Sequence, residues 1–509
     1  MKSRKTYMAL DVGVSSGRVI VAGFDGSSIE SREAFRFRNS PVNVRGTVFT
    51  DILRIFYEST LGVQKSLNEY GDAASMGIDV WGVDFGLLDR DGQLISNPIS
   101  HRDSRLAGIT EKVFSVIDKK DIYYKTGVHF QVTNSLYQVF AMKELNPGFL
   151  ERAGYFLMLG DLLNYYFTGQ ISCEYTGAVT TQMFDLGTGT WQDDIIGKLG
   201  VDRKIFLDVV QPGTFSGYIS DDIVPGLPAG QLKVIRSAYD TSSEIAAIPA
   251  SRDTLGRAWA FLCCGTTGTV GMVSSRPIIG EKGFRYEFGN EGGLEGTFNF
   301  LKNFTCMWII ENCRNRWMAE RNREISWEEI EKASGLSAEN DIFIDVDDDI
   351  FSARVADMPS AVLEYCRRTG QVLPRTMGEV ARCVFESYVL KIASILDRLE
   401  QITGKKMEVL HLTGGGSKNH TFCQWISDAL ALPVIAGPAE TTAWGNILIQ
   451  LKADSEISGL EEGRVLLGKS LDLRQYQPEA PGKWEARMKK YIDVISKGKK
   501  NNDKDGDSL

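Results

Sequence analysis

Short apolar stretches typical of buried strands alternate with segments of helical periodicity along this chain. One layout, an apolar strand, a glycine turn and a second apolar strand, occurs twice, at Tyr7–Phe24 and at Ala258–Val273. The clearest predicted helix runs from Met377 to Ile402, and the strand Met407–Leu412 and a glycine turn follow it directly. This alternation predicts an α/β protein.

The length of 509 residues predicts two to three domains. Two similar hairpin starts indicate two lobes built on one plan, with a boundary near Pro249. We therefore predict an N-terminal lobe at 1–247, a C-terminal lobe at 248–470 and a C-terminal extension at 471–509. The last residues of the extension are charged and poor in apolar side chains, so we expect them to be disordered.

The composition and net charge of the chain argue against several classes of function. A net charge of -9 argues against nucleic-acid and membrane partners, because an acidic surface repels phosphate groups. The chain start lacks a signal-peptide pattern and no stretch is apolar enough to span a membrane, so we expect a cytoplasmic protein. The eight cysteines include no CxxC and are expected to be reduced, and four histidines without HExxH argue against a zinc enzyme.

The first turn, DVGVSSGR at 11–18, has the composition of a phosphate-binding loop. Its small residues let backbone N–H groups close around phosphate oxygens, and Arg18 adds positive charge. A plain hairpin turn would explain the glycines but not Asp11, a carboxylate at the end of a buried strand. A magnesium ion facing Asp11 through water would explain it.

Two further glycine turns have the composition expected of nucleotide-binding loops. GTTG at 265–268 occupies the equivalent place in the second half, where the Thr266 hydroxyl would donate to a γ-phosphate. TGGGSKN at 413–419 follows a strand and offers bare backbone to an adenine or ribose. Each alone is also explained as an ordinary turn, whereas the first two together form a two-sided phosphate clamp.

Other nucleotide motifs are absent from the sequence. There is no GxxxxGK[ST] and no GxGxxG between a strand and a helix. DFG at 84–86 and HRD at 101–103 are reminiscent of protein kinases, but their order is reversed and the accompanying glycine loop and VAIK strand are missing. We interpret both as coincidence.

Phosphoryl transfer to an alcohol needs a carboxylate that accepts the hydroxyl proton. Asp240 follows an apolar strand near the end of the first half, which suits that role. It is equally explained as a helix N-cap, because Thr-Ser-Ser-Glu follows it. The residues themselves leave both explanations open.

Taken together, these segments resemble the FGGY carbohydrate kinases, and among them the rhamnulokinases most closely. The resemblance extends from Met8 to about Leu451. Besides the motifs already quoted, it includes GIDVWGVDFGLLDRDGQ at 77–93, HRDSR at 101–105, NSLYQ at 134–138, EYTGAVTTQ at 174–182, YDTSS at 239–243, NEGGLEG at 290–296, LKN at 301–303, GGGSKN at 414–419 and AGPAETTAWGN at 436–446.

The resemblance implies an α/β fold of two actin-like (ribonuclease H-like) lobes with an ATP and sugar cleft between them. It implies ATP and Mg2+ as cofactors and conversion of L-rhamnulose to L-rhamnulose 1-phosphate in rhamnose catabolism. Asp240 would be the general base and Asp11 the metal-side carboxylate. By motif position, ATP would be bound by Gly13, Val14, Ser15, Ser16, Gly17, Arg18, Thr266, Asn303, Glu311 and Gly415. The sugar would be bound by Gly82, Asp84, Tyr239, Asp240 and Thr241.

Three positions depart from the usual rhamnulokinase pattern. Tyr239 stands where those enzymes carry His, Thr267 where they carry Trp, and Glu311 where they carry Gln. The first two changes alter the expected contacts with the sugar. Alternatives are therefore a kinase for another ketose, such as L-fuculose or xylulose, and a catalytically inactive sugar sensor. We expect ligand binding to close the lobes around the segment near Pro249; the sequence leaves the oligomeric state open.

Overall fold

A computed structural model describes residues 4–219, 222–224, 227, 230–249, 256–352 and 355–506, with side chains as far as 499. The strands are β1 Lys5–Val12, β2 Ser16–Phe24, β3 Ile29–Arg38, β4 Val42–Val44, β5 Thr47–Phe49, β6 Ser75–Val80, β7 Phe85–Leu88, β8 Tyr155–Met158, β9 Cys173–Glu174, β10 Phe184–Asp185, β11 Thr190–Trp191, β12 Val209–Val210, β13 Phe215–Tyr218, β14 Lys233–Arg236, β15 Trp259–Cys264, β16 Thr267–Ser274, β17 Gly289–Gly292, β18 Phe298–Thr305, β19 Val409–Thr413, β20 Val434–Ala436 and β21 Arg474–Tyr476.

The helices alternate with these strands, which confirms the α/β prediction. They are α1 Ile52–Tyr70, α2 Ile109–Val116, α3 Lys119–Thr126, α4 Ser135–Leu145, α5 Pro147–Arg152, α6 Leu159–Thr168, α7 Tyr175–Thr180, α8 Asp193–Lys198, α9 Asp240–Ala246, α10 Glu281–Tyr286, α11 Trp308–Arg321, α12 Trp327–Leu336, α13 Met358–Arg368, α14 Met377–Thr403, α15 His420–Leu430, α16 Thr441–Ala453, α17 Leu460–Ser470 and α18 Gly482–Gly506. Within the described ranges, no helix has the length and apolar character needed to cross a bilayer.

The chain forms two compact units, each discontinuous in sequence. The first comprises Met1–Ser251, Val273–Phe300 and Thr441–Ser470, and the second Arg252–Met272, Leu301–Glu440 and Leu471–Leu509. The predicted lobes, by contrast, are continuous in sequence. In the C-terminal segment predicted to be disordered, α18 extends as far as Gly506, and 507–509 lie outside the described residues.

The first unit is built on a six-stranded sheet in the order β13-β14-β6-β1-β2-β3. β1, β6 and β14 are mutually parallel, whereas β2 pairs with β1 as the predicted antiparallel hairpin. Apolar side chains of this sheet pack with α1 and α6 into one core. Because parallel strands end at a common edge, residues that follow β1, β6 and β14 are brought together.

The second sheet has the order β17-β18-β16-β15-β19-β20-β21. β15 and β16 form the second predicted hairpin, and β19 pairs with β15 in parallel. The predicted helix at Met377–Ile402 is α14, in which Thr376 caps the N-terminus and Gly404 ends the helix in the left-handed conformation. Its apolar stripe is buried at Val380, Val384, Tyr388, Ile392, Ile395 and Leu399. All eight cysteines are unbridged and buried.

Candidate active site

Three carboxylates lie at the carboxyl ends of the parallel strands of the first unit. Asp11, near the end of β1, is the direct register partner of Asp79 near the end of β6. β14 ends at Arg236, and Asp240 opens α9 four residues later. Open α/β sheets bind ligands outside the carboxyl ends of their strands, so this edge is the candidate catalytic site of the unit.

Asp11 is paired with Arg18, which faces it across the β1–β2 hairpin. Arg18 Nε and Nη2 both donate to Asp11 Oδ2, at 2.8 and 2.6 Å. This ion pair explains how a carboxylate is accommodated at the end of a buried strand. The sequence analysis did not predict the pair. A phosphate group at the turn would compete with Asp11 for the guanidinium.

The predicted phosphate loop is the tight turn of this hairpin. Gly13 N donates to Ser16 O at 2.9 Å, and Val14 and Ser15 form the tip. Asn39 holds the turn from outside, because its backbone N donates to Ser15 O and its Nδ2 to Gly13 O. A Cβ at Gly17 would overlap the Phe37 ring, so this position needs glycine. The turn is thus fixed before any ligand binds.

Asp240 is the first residue of α9, with Tyr239 in the N-cap position. Its Oδ1 accepts from Thr241 N at 2.6 Å and from Thr241 Oγ1 at 3.2 Å. Burial raises the pKa of Asp240 to about 7, and the negative charges of Asp11 and Glu244 act in the same direction. A carboxyl group with a pKa close to neutrality suits proton transfer. The local bonds at the helix start and a role as base are therefore compatible.

Asp79 was not among the residues predicted from the sequence. It is buried, its Oδ2 accepts from Asn446 Nδ2, and its Oδ1 has no hydrogen-bond partner in the described part of the chain. Burial, and next the charge of Asp11, raise its pKa well above the ordinary value. A signal was present in the sequence: Asp79 follows the apolar run Met76–Ile78 in β6, as Asp11 follows Tyr7–Leu10 in β1.

Helix α16 packs along β6 through amide side chains, of which Asn446 reaches Asp79. Gln450 Nε2 donates to Asn446 Oδ1 at 2.8 Å, and Ser75 Oγ donates to Gln450 Oε1 at 2.7 Å. A Cβ at Gly445 would overlap the carbonyl oxygen of Ser243 in α9. Glycine at 445 therefore allows α16 to pack directly on the helix that carries Asp240. This close packing explains the glycine in the AWGN segment.

The loop after β6 carries two predicted sugar contacts around a strained residue. A Cβ at Gly82 would lie 3.0 Å from Thr180 Cγ2 and 3.2 Å from Tyr239 Cδ2. Val83 has φ 66°, which is unfavourable for a β-branched residue. Its N donates to Thr180 Oγ1, and its carbonyl accepts from Ser135 Oγ and Gln138 Nε2. Strain held by several bonds is typical of functional sites.

The Asp84 side chain anchors the same loop. It has no exposed surface; its Oδ1 accepts from His101 N at 2.9 Å, and its Oδ2 accepts from Trp81 Nε1 at 3.0 Å. His101 Nδ1 also lies 3.0 Å from Oδ2. The DFG and HRD segments are thus contact partners inside this fold. Thr241, the remaining predicted sugar contact, is the partner of Asp240 described above.

The second unit contains a cavity of about 480 Å³, within the usual range for small-molecule sites. Predicted nucleotide contacts Thr266, Glu311 and Gly415 line it. Gly414 has φ 80°, and a Cβ at Gly416 would overlap Cys264 Sγ, so the turn after β19 requires glycine at both positions. At Gly415, by contrast, an added Cβ atom would have no neighbouring atom within 4 Å.

Asn303 lies elsewhere in the second unit. Thr269 Oγ1 on the neighbouring strand donates to Asn303 Oδ1 at 2.6 Å, and Asn303 is not one of the residues lining the cavity. Trp327 lines the cavity although the sequence did not point to it. The Arg314 guanidinium lies over the Trp327 ring, 5.1 Å from its centroid, and Arg314 Nε donates to Ile325 O.

Comparison with known proteins connects these sites to a family. Residues 6–245 match the N-terminal domain of the FGGY family of carbohydrate kinases, and residues 260–453 match its C-terminal domain. The chain belongs to the FGGY family of carbohydrate kinases. It is 34% identical over 484 residues to a rhamnulokinase of Bacteroides thetaiotaomicron, covering 95% of this chain and 98% of the relative. It is 33% identical over 470 residues to a rhamnulokinase of Oceanobacillus iheyensis, covering 92% and 97%.

Solved structures agree on the fold. A ligand-bound xylulose kinase from Lactobacillus acidophilus has a TM-score of 0.79 at 15% identity, covering 97% of this chain and 98% of that one. Plasmodium falciparum glycerol kinase with ADP has a TM-score of 0.76 at 16% identity, covering 98% and 99%. The predicted two-domain actin-like fold of an FGGY kinase is thereby confirmed. The protein is a carbohydrate kinase, a phosphotransferase with an alcohol acceptor, and kinases of this family use ATP as co-substrate.

Proposed function

We propose that this FGGY kinase transfers the γ-phosphoryl group of ATP to L-rhamnulose, giving L-rhamnulose 1-phosphate, with Asp240 as general base. The observation that carries the proposal is the partly buried Asp240 at the start of α9, at the sheet edge where Asp11 and Asp79 lie near the ends of β1 and β6. The relatives named as rhamnulokinases, aligned over most of the chain, support the choice of sugar.

Asp240 would accept the proton of the sugar hydroxyl as the oxygen attacks phosphorus. A pKa of about 7 leaves roughly half of the groups ionised at neutral pH, so the base is available and also releases the proton readily. On the sugar side we assign contacts to Gly82, Tyr239 and Thr241. Asp84 is assigned the support of that loop, because its carboxylate is already bonded to Trp81 and His101.

For ATP we assign the phosphates to the turn Gly13–Arg18 and to Thr266, and the nucleoside to the cavity lined by Glu311 and Gly415. Asn303, which bonds to Thr269, would support this side through its strand. The proposal thus uses residues of both units, and each residue is assigned from the geometry within its own unit.

The residues fit Mg2+ bound together with ATP. Within the described part of the chain, no group of three or more His, Cys, Asp and Glu residues forms a metal site by itself. Mg2+ in kinases is usually held by one or two carboxylates, water and substrate phosphates, which Asp11 satisfies as an oxygen donor. When bound, the ion would neutralise charge on the phosphates. Arg18 would then exchange its bond with Asp11 for one with phosphate.

The test is a coupled ADP-release assay with L-rhamnulose, L-fuculose and D-xylulose, and identification of the phosphorylated carbon by phosphorus NMR. We expect L-rhamnulose to give the highest kcat/KM and a 1-phosphate product. Tyr239 in place of histidine favours one alternative, a different ketose, which a higher kcat/KM for that sugar would establish. A protein that binds ketoses but releases no ADP would be the inactive sensor and would refute the proposal.

A further inference from the structure

The Tyr239 hydroxyl donates a hydrogen bond to Glu291 Oε2, directly beside the proposed base. Both side chains are buried, with exposed fractions of 9% for Tyr239 and 8% for Glu291. Among the residues that the structure describes, no cation pairs with Glu291, and Tyr239 is the group that hydrogen-bonds its carboxyl. The pair belongs to the first unit, where Glu291 lies on β17 and Tyr239 precedes α9.

The position of Tyr239 is set independently of Glu291. Its backbone N donates to Thr176 Oγ1 at 2.9 Å, and Thr176 Oγ1 donates to Glu174 Oε2 at 2.6 Å. Its ring borders the space beside Gly82, where a Cβ would lie 3.2 Å from Tyr239 Cδ2. The ring therefore adjoins two elements assigned to the sugar, Gly82 and Asp240, and Glu291 determines where its hydroxyl points.

A buried carboxyl without a cation destabilises a fold, because it loses its hydration. Here burial raises the pKa of Glu291 to about 8. A glutamine would fill the same volume without this penalty. Local costs of this kind are expected at functional sites, where binding compensates for them.

We propose that Glu291 is a positioning residue that fixes the Tyr239 hydroxyl as a hydrogen-bonding group for the ketose, so that the pair selects the sugar. This inference rests on the proposed function and deepens it. A site built to hydrogen-bond a substrate hydroxyl discriminates strongly against analogues that lack or misplace it. The pair would thus act on ketose affinity and sugar preference, and leave ATP binding unchanged.

The test compares wild type with Glu291→Leu, Tyr239→Phe and the double variant, because a glutamine at 291 would still accept the Tyr239 hydroxyl. We expect both single variants to raise KM for the preferred ketose about tenfold, with KM for ATP within about twofold, and to flatten the preference across the ketose panel. The double variant should resemble the single variants, because each change removes the same bond. Tyr124 Oη donates to Glu281 Oε2 on the surface at 3.2 Å, so Glu281→Leu is the matched control and should change neither KM.

Stability separates this role from a structural one. The folded-state pKa of about 8 lies above the ordinary 4.5, so the folded state retains a proton that the unfolded chain loses. Stability is therefore lost as pH rises from about 4.5 to about 8, and Glu291→Leu should raise the melting temperature more at pH 8 than at pH 5. Higher stability together with weaker ketose binding is the expected signature.

Two results would overturn the inference. One is an unchanged ketose KM and preference in Glu291→Leu, and the other is a parallel loss of ATP affinity and melting temperature, as for a structural bond. If wild type prefers another ketose, the proposed sugar fails but the same comparison is made with that ketose. If no ketose is phosphorylated, the proposed activity fails and ketose binding is measured by calorimetry, where equal affinities of wild type and Glu291→Leu would refute the inference.

Discussion

Asp240→Asn should lower activity and raise stability at the same time. The amide has nearly the volume of the carboxylate but accepts no proton, so we expect kcat to fall about 10²- to 10⁴-fold, which corresponds to about 3–5 kcal/mol of activation free energy. The pKa of Asp240 is about 7 in the folded protein against an ordinary 3.8. That difference corresponds to about 4 kcal/mol, and we expect about half of it, ~2 kcal/mol, because Asp240 retains some solvent exposure.

The pH dependence gives the sign of this effect. The folded protein keeps the Asp240 proton up to about pH 7, whereas the unfolded chain releases it near 3.8, so wild-type stability falls across this interval and levels off above it. The gain in Asp240→Asn should therefore be largest at pH 8 and small at pH 4. Wild-type kcat/KM should rise with pH through about 7 as the base ionises.

The assay combines ADP release with urea denaturation of the apoprotein at pH 5 and pH 8. Asp91, an exposed aspartate in a turn, supplies the control Asp91→Asn, which should change neither quantity. Activity of Asp240→Asn within tenfold of wild type would refute the base assignment. A variant that is inactive but no more stable at pH 8 would refute the burial argument alone.

The remaining predictions concern the nucleotide cavity and the helix contact beneath Asp240. If the Trp327 ring stacks on the adenine base, Trp327→Ala should weaken ATP binding about tenfold in calorimetry and leave the ketose KM unchanged. The control is Leu336→Ala, a change at an exposed position of the same helix. Equal ATP affinities of wild type and Trp327→Ala would contradict the stacking role. Gly445→Ala should lower unfolding free energy by about 3 kcal/mol or prevent folding, because the methyl group overlaps Ser243 O, whereas Gly197→Ala has no neighbour within 4 Å and should be tolerated. A stable Gly445→Ala protein would refute the close approach of α16 and α9.

The sequence predicted those features that depend on local pattern. Two hairpins, the long helix α14 and the strand before Asp240 follow from periodicity and glycine turns, and the structure confirms them. The family could be recognised because its motifs occur in order along the chain. The assignment of Asp240 as base remains a prediction, supported by its pKa and its place at the sheet edge.

Features that depend on distant partners could not be predicted in this way. Glu291 follows Tyr239 by more than fifty positions, so local pattern says nothing of their bond. The pairing of Arg18 with Asp11 requires the hairpin register, which turn composition alone does not specify. Likewise, Trp327 resembled an ordinary helix residue until the cavity around it was known.

The energetic costs of the first unit concentrate around one sheet edge. Asp79, Asp240 and Glu291 all have pKa values raised chiefly by burial, and Val83 holds a backbone conformation that β-branched residues avoid. A fold selected for stability alone would use neutral or apolar side chains at these positions. Asp79 and Val83 lie at the carboxyl end of β6, Asp240 follows β14, and Glu291 on β17 bonds to Tyr239 next to Asp240. Their proximity therefore argues for a site whose ligands compensate the cost. On this argument, binding of ketose and MgATP should stabilise the protein beyond what contact area alone would provide.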